Sequence, residues 1–375
     1  VPLANPNPAV LLIYGDLSGC TLYRTFWPVT ALRRQHQYPV WHMVREHKDL
    51  ADVMLRVDAV VLCRLSWKHA DYQQAFEFID KLHLMGKAVI YESDDDLFSP
   101  DCLPQISLMD PRKQDYLALD RERRDRIDAL GLCDGVTVST PRLATLVREY
   151  TRRPVHVVPN SIAYSDFRRV CASAPPPWPD DTVTIGWAGG KRLDTDLEAM
   201  AAAWRFIANH YPQTRFVIAG HLAEPLLDAV PEDRRRCIAW QPPQRFPLVY
   251  RGIDIGCAPL ADVPFNRTKS TVKALEFGAI GSALVYSPTI YGKTLEDGVD
   301  GLEASTAGEW ADALSRLVED RPYRLRLAAH WRGRVRREFS LTTNAWRWPA
   351  AWAAIVQDYH KRGAATRLWT PAGAR

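Results

Sequence analysis

Val183-Thr-Ile-Gly-Trp187 restarts a pattern that first opens at Val10-Leu-Leu-Ile-Tyr14. Both are short apolar runs bounded by turn-forming residues, with helically spaced stretches between such runs, and that alternation predicts parallel sheets built from βαβ units. The first series continues with Ala59-Val-Val-Leu-Cys63, Ala88-Val-Ile-Tyr91, Val136-Thr-Val-Ser139 and Val155-His-Val-Val158. The second continues with Phe216-Val-Ile-Ala219, Cys237-Ile-Ala-Trp240, Asp254-Ile-Gly-Cys257 and Ala283-Leu-Val-Tyr286. Between them lies Ala174-Pro-Pro-Pro-Trp-Pro179, a stiff segment that cannot join a sheet. The expectation is two doubly wound α/β domains, 1–170 and 183–343, joined by a proline-rich linker at 171–182 and facing a cleft. Residues 344–375, with Trp346, Trp348 and Trp352, read as a closing helix packed back across the domains and a frayed tail.

The bulk numbers agree. A chain of 375 residues is long enough for two ordinary domains. With 47% hydrophobic and 25% charged residues, and no apolar run of membrane-spanning length, it reads as soluble. No basic segment followed by an apolar stretch opens the sequence, and the seven cysteines show no C-x-x-C spacing, so reduced thiols in a cytoplasm are expected rather than a disulfide framework or zinc site. A net charge of +4 does not by itself call for nucleic acid. The densest basic tract, Trp331-Arg-Gly-Arg-Val-Arg-Arg337, reads as a solvated helix face, or as a surface for an anionic membrane or acceptor.

Three segments carry residues suited to chemistry. Phe265-Asn-Arg-Thr-Lys-Ser-Thr-Val-Lys-Ala-Leu-Glu-Phe-Gly278 reads as a loop feeding a helix that opens near Thr268, with Lys269, Lys273 and Glu276 on one face. Two lysines four apart repel; an anion at the helix N-terminus, met by free N–H groups and the positive dipole end, reverses that cost. Glu276, about two turns in, is placed to accept hydrogen bonds from a ribose diol. Trp187-Ala-Gly-Gly-Lys-Arg-Leu-Asp194 ends a strand where open α/β sheets bind ligands: Gly189 and Gly190 let backbone approach an anion, and Lys191 and Arg192 can neutralise a diphosphate, or the stretch is a tight turn with solvated cations. Val89-Ile-Tyr-Glu-Ser-Asp-Asp-Asp-Leu-Phe98 masses carboxylates at a strand end. They cap the next segment, bind a cation through Asp94-x-Asp96, or meet an acceptor hydroxyl.

The helix with Glu276, the glycine two residues later and Val299-Asp-Gly-Leu302 resemble the nucleotide-sugar half of retaining GT-B glycosyltransferases. The resemblance spans most of the chain: Gly15-Asp-Leu-Ser-Gly-Cys-Thr-Leu-Tyr-Arg24, which includes Gly19, is similar to the family's first glycine-rich loop, Val158-Pro-Asn-Ser-Ile162 to a conserved strand end, and Ile218-Ala-Gly220 to a turn. It implies a GT-B architecture of two Rossmann-like domains, a nucleotide-diphosphate sugar as donor, retention at the anomeric carbon and no obligatory metal or other cofactor. Glu276 matches the family's second glutamate, whereas the first falls on Thr268, so Asn266 to Ser270 is read as a variant donor loop in which Lys269 and backbone amides take over. Where relatives often offer a histidine to the acceptor, this chain has Ser93 and Asp94.

The reading is therefore a glycosyltransferase. Asp94, Asp95 and Lys269 are its expected catalytic residues. Gly19, Gly189, Gly190, Lys191, Arg192, Asn266, Thr268, Ser270, Lys273 and Glu276 are expected at the donor, and Tyr23, Arg24 and Arg64 on the acceptor side. The metal reading of Asp94-x-Asp96 is set aside because the fold that uses such a motif has one nucleotide-binding sheet, and this chain shows two. The acceptor is left open between a glycan, a lipid-linked molecule and nucleic acid, with peripheral membrane contact compatible. The alternatives are a glycosyltransferase acting on a modified DNA base and a sugar-nucleotide epimerase or hydrolase on the same fold.

Overall fold

The computed structural model describes residues 7–15, 19–64, 72–109, 115–172, 178, 182–190, 193–242 and 245–363. Lys191, Arg192 and most of the proline-rich stretch lie outside these described residues. The chain forms two compact units: one takes the residues up to Pro159 and again those from Ala345 on, and the other is Asn160–Asn344.

The first unit holds a parallel sheet of strands β1 (Val10–Tyr14), β2 (Val40–Val44), β3 (Ala59–Cys63), β4 (Ala88–Ser93), β5 (Gly135–Val138) and β6 (Val155–Val157). Their spatial order is β2-β1-β3-β4-β5-β6. β1 lies between two neighbours, and all of its residues are buried, which is why it reads as an unbroken apolar run. β2 was not anticipated. It is an edge strand with only Val40 buried, and its mixture of Trp41, His42 and Met43 gives no buried-strand signal. The order reverses between β1 and β3, so their carboxyl ends mark the place where doubly wound sheets bind ligands. A helical run from Gly19 to His36 follows β1, with a π turn at Leu22–Phe26. Helix Arg347–Arg362 belongs to this unit and buries Trp348 and Trp352, whereas Trp346 stays exposed. Gly135 is required beneath that helix, because a Cβ there would stand 2.7 Å from the Ile355 side chain.

The second unit repeats the principle with β7 (Val183–Gly189), β8 (Thr214–Gly220), β9 (Arg235–Ala239), β10 (Ile255–Ala258), β11 (Ala283–Tyr286) and β12 (Leu302–Glu303). The order is β12-β11-β10-β7-β8-β9, with every pairing parallel. Here the reversal falls between β7 and β10. β12, only two residues long, was also not anticipated. Both sheets are doubly wound, as the repeated strand pattern predicts.

Helix Val272–Ile280 packs on β10 and on helix Arg321–Glu338 through two glycines. A Cβ on Gly256 would lie 2.3 Å from the Phe277 ring, and one on Gly278 would lie 2.5 Å from Trp331 Nε1. Trp331 Nε1 in turn donates to the Ala274 carbonyl at 2.7 Å, which pins the indole in place. Gly278→Ala should therefore overpack this contact and cost about 1–3 kcal/mol. The check is chemical denaturation: an unchanged midpoint would mean that the indole yields freely.

Candidate functional site

In the second unit the sequence between β10 and the following helix is held by one buried carboxylate. Asp196, in the first turn of helix Asp194–His210, accepts from Ala261 N at 2.9 Å and Asn266 Nδ2 at 2.7 Å through a single oxygen. Asn266 Nδ2 also donates to the Ala261 carbonyl at 3.0 Å. β7 and β10 are neighbouring strands, and this clamp ties the segment after β10 to the helix that follows β7. The glycines have distinct duties. A Cβ on Gly189 would strike Trp187 at 2.6 Å, and one on Gly220, at φ +88°, would strike the Gly189 carbonyl at 2.3 Å. Gly190 is exposed, with open space where a Cβ would stand. The turn is thus a close backbone crossing that ends in accessible main chain.

The segment does not enter its helix where the sequence suggested. A short helix, Pro264–Arg267, comes first, and the main helix begins at Val272 rather than near Thr268. The Thr268 hydroxyl donates to the Phe265 carbonyl at 2.8 Å and Lys269 N to the Asn266 carbonyl at 3.0 Å, which closes the first helix. Asn266 and Thr268 are accordingly buried, with side chains serving the loop itself. Ser270 Oγ accepts from Asn160 Nδ2 at 2.8 Å, tying the loop to the first residue of the same unit.

Lys269 precedes the helix, so Lys269 and Lys273 are not the helical i, i+4 pair that the sequence suggested. The Lys269 ammonium lies 4.1 Å from the centre of the Phe265 ring, a cation–π contact. Lys273 Nζ donates to Glu276 Oε2 at 2.8 Å and lies 3.0 Å from Tyr250 Oη. Glu276 is fully buried and also accepts from the Tyr250 hydroxyl. Burial and this carboxylate push the Tyr250 phenol well above its ordinary pKa. The Glu276 carboxylate thus holds both Lys273 and Tyr250 through Oε2. Tyr250 and Asp196 were missed by sequence reasoning, since neither stands in a motif and both act only through tertiary contacts.

In the first unit Arg64, directly after β3, gathers the strand ends. Its backbone is left-handed at φ 48°, unusual for a residue with a Cβ, and its N–H donates to the Glu92 carbonyl at 2.9 Å. Its guanidinium lies 3.4 Å from Asp94 Oδ1 and 3.1 Å from Asp95 Oδ2, and donates to Cys20 Sγ. Gly19 opens the helical turn that carries Cys20. Burial raises the Cys20 thiol pKa, with Arg64 pulling it down. Among the described residues Cys20, Asp94 and Asp95 are the one group compact enough to hold a metal ion, and Arg64 already brings a positive charge against all three.

The three adjacent aspartates divide. Asp96 accepts from Phe98 N at 3.0 Å, Ser99 N at 2.9 Å and Cys102 Sγ at 2.7 Å, so it caps the following turn. Ser139 Oγ donates to the Asp94 carbonyl at 3.1 Å and Ser93 Oγ to the Asp95 carbonyl at 2.9 Å, which fixes this strand end.

Tyr23 and Arg24, expected on the acceptor side, are instead turned into the core. Tyr23 is buried edge-on against Trp27 at 4.7 Å. Arg24 Nε donates to Glu92 Oε1 at 2.6 Å, its NH1 to the Val158 carbonyl at 2.6 Å, and its guanidinium lies 4.4 Å over Trp348. Thr137 donates to the other Glu92 oxygen. An arginine with several good acceptors and a ring is more stable inside than an unpaired one, so its position in the sequence misled.

Burial pushes the Glu92 carboxyl up to about 7, against the pull of Arg24 and Thr137. A raised pKa means that the folded chain binds this proton more readily than the unfolded chain, so the contribution of Glu92 to stability is fully present below its ordinary value of 4.5 and declines as pH rises to about 7. Glu92→Gln should lower stability overall but flatten its slope between those pH values. Urea midpoints measured across that window check this; an unaltered slope would sink it.

Residues 197–348 match the family described as glycosyl transferase-like. Among solved structures, the sucrose-phosphate synthase of Thermosynechococcus elongatus is similar over 92% of this chain and 98% of its own, at 15% identity and a TM-score of 0.63. HepE of Anabaena, in complex with UDP-glucose, is similar over 92% of this chain and 100% of its own, at 12% identity and a TM-score of 0.59. At such identities the likeness is one of fold. No curated protein sequence matches the chain.

Proposed function

We propose that this chain, a glycosyltransferase of the GT-B type by its fold and its glycosyl transferase-like region, takes its sugar from a nucleoside diphosphate sugar held by the unit Asn160–Asn344. The observation that carries this reading is the arrangement at the β7/β10 switch point. An exposed glycine backbone at Gly190, Lys269 and the first turn of helix Val272–Ile280 belong to the segments that follow those two strands. First-turn N–H groups have no intrahelical acceptor and carry the positive end of the helix dipole, so they suit a diphosphate. Lys269, Lys191 and Arg192 add the charge that a departing nucleoside diphosphate needs.

Glu276 enters this scheme as a positioning residue. Its fully buried carboxylate holds Lys273, whose side chain remains 19% exposed, and so fixes an ammonium at the start of the helix. The complex of the similar HepE with UDP-glucose makes that molecule the first donor to try. The wider resemblance favours retention at the anomeric carbon and transfer without an obligatory metal. On the first unit, Asp94 and Asp95 are the groups that orient an acceptor hydroxyl or assist its proton loss, with Arg64 keeping both carboxylates in place.

Lys269→Ala, by loss of one charge-assisted contact, and Glu276→Ala, by releasing Lys273 from its fixed position, should each weaken UDP binding about tenfold or more. Titration calorimetry measures it, and unchanged affinity in both variants defeats the donor assignment. Asp94→Asn, by contrast, should leave UDP affinity intact while lowering acceptor-dependent UDP release by about a hundredfold. Full release in that variant would remove Asp94 from the chemistry, and UDP release without any acceptor would point to a hydrolase.

A further inference from the structure

Helix Arg321–Glu338 carries seven arginines against one glutamate, a balance of +6 in a chain whose total is +4, so all other residues together sum to −2. The arginines do not share one job. Arg324 is buried and donates to the Leu317 and Val318 carbonyls, and Arg334 pairs with the buried Asp300 and with Glu338. Among the described residues, Arg321, Arg326, Arg332, Arg336 and Arg337 form no ion pair. Arg326 instead rests 4.9 Å from the centre of the Tyr323 ring.

At about 100° per residue the helix divides into two faces. Tyr323, Leu327, Trp331 and Val335 fall on the buried one. The opposite face bears a strip of small or apolar residues, Pro322, Leu325, Ala329 and Gly333, of which Leu325 is 52% exposed. The arginines outside ion pairs lie along and to both sides of this strip. No acidic residue occurs between Arg321 and Arg337 to offset them.

We propose that this face docks the protein on an anionic lipid surface. Guanidinium groups would meet lipid phosphates while Leu325 reaches the headgroup boundary. A polyanion such as nucleic acid would use the charge, but the central strip offers its bases neither an exposed aromatic ring nor a side-chain amide to read. Lipid surfaces reward this arrangement: each basic residue near an anionic membrane contributes about 1 kcal/mol, or roughly fivefold in affinity, and the effect decays within a Debye length of about 8–10 Å. No helix among the described residues is long and apolar enough to cross a membrane, so the association would be peripheral. This inference does not depend on the identity of the sugar donor.

The test is co-sedimentation of the full chain with vesicles of phosphatidylcholine, alone or with about 30 mol % phosphatidylglycerol. Binding is expected only to the anionic vesicles and should weaken steeply as salt rises. The variant R326Q/R336Q/R337Q should lose about a hundredfold in affinity, by roughly fivefold per arginine. R142Q, which removes an exposed arginine of the other unit, should bind normally. All four positions are exposed, and matching circular dichroism confirms that the variants fold. Absence of binding to anionic vesicles, or equal binding by the triple variant, overturns the proposal, as does tighter binding to duplex DNA than to the vesicles.

Discussion

The conformation of the chain after β10 depends on a single buried oxygen, Asp196 Oδ1, which collects the Ala261 N–H and the Asn266 amide. An ionised carboxylate inside a protein is costly unless its lone pairs are satisfied, and satisfying them here fixes the conformation of the chain after β10. From that fixed point the short helix Pro264–Arg267 closes and Ser270 meets Asn160 before helix Val272–Ile280 begins. Three further contacts keep the helix from rotating: Phe277 over Gly256, Gly278 under Trp331, and Trp331 bonded to the Ala274 carbonyl. The free end of the helix thus inherits its position from a carboxylate on a different helix.

The first unit solves a similar problem with cations. Arg24 bonds a β4 side chain, Glu92, and Arg64 meets the aspartates just past the carboxyl end of β4. Arg24 bonds Glu92 where both side chains are fully buried, a setting in which a polar side chain without a partner is costly. Arg64 accepts a left-handed backbone to bring its guanidinium to Asp94, Asp95 and Cys20. Backbone strain of that kind persists only where surrounding contacts over-determine it, and it concentrates at sites that bind or react. The single guanidinium thus lies within 3.4 Å of Asp94 and 3.1 Å of Asp95, bridging two adjacent carboxylates.

Several side chains that look chemical in the sequence turn out to hold other side chains. Asp96 caps a turn, Thr268 closes a helix, Arg24 anchors a core, and Glu276 holds a lysine and a tyrosine. Polar residues near the carboxyl ends of strands face two demands, to support the loops and to meet a ligand, and their residue type does not say which one they serve. The same holds for the arginines of helix Arg321–Glu338, where those facing inward are bonded and those facing outward stay outside ion pairs.

The amino-acid order alone determined the two doubly wound sheets, because central parallel strands are buried on both faces and so appear as short unbroken apolar runs such as Val10–Tyr14 and Ala283–Tyr286. It did not disclose β2 or β12, since an edge strand with one buried residue and a strand of two residues leave no periodic trace. The glycines at the β7 end and the segment Phe265–Gly278 were legible for a related reason: close backbone crossings and helix entry impose residue types locally. Partners were not legible. That Tyr250 meets Glu276, Asp196 meets Asn266 and Arg64 meets Asp94 was decided only when the tertiary fold brought residues 26, 70 and 30 positions apart within bonding distance, a relation that no local spacing encodes.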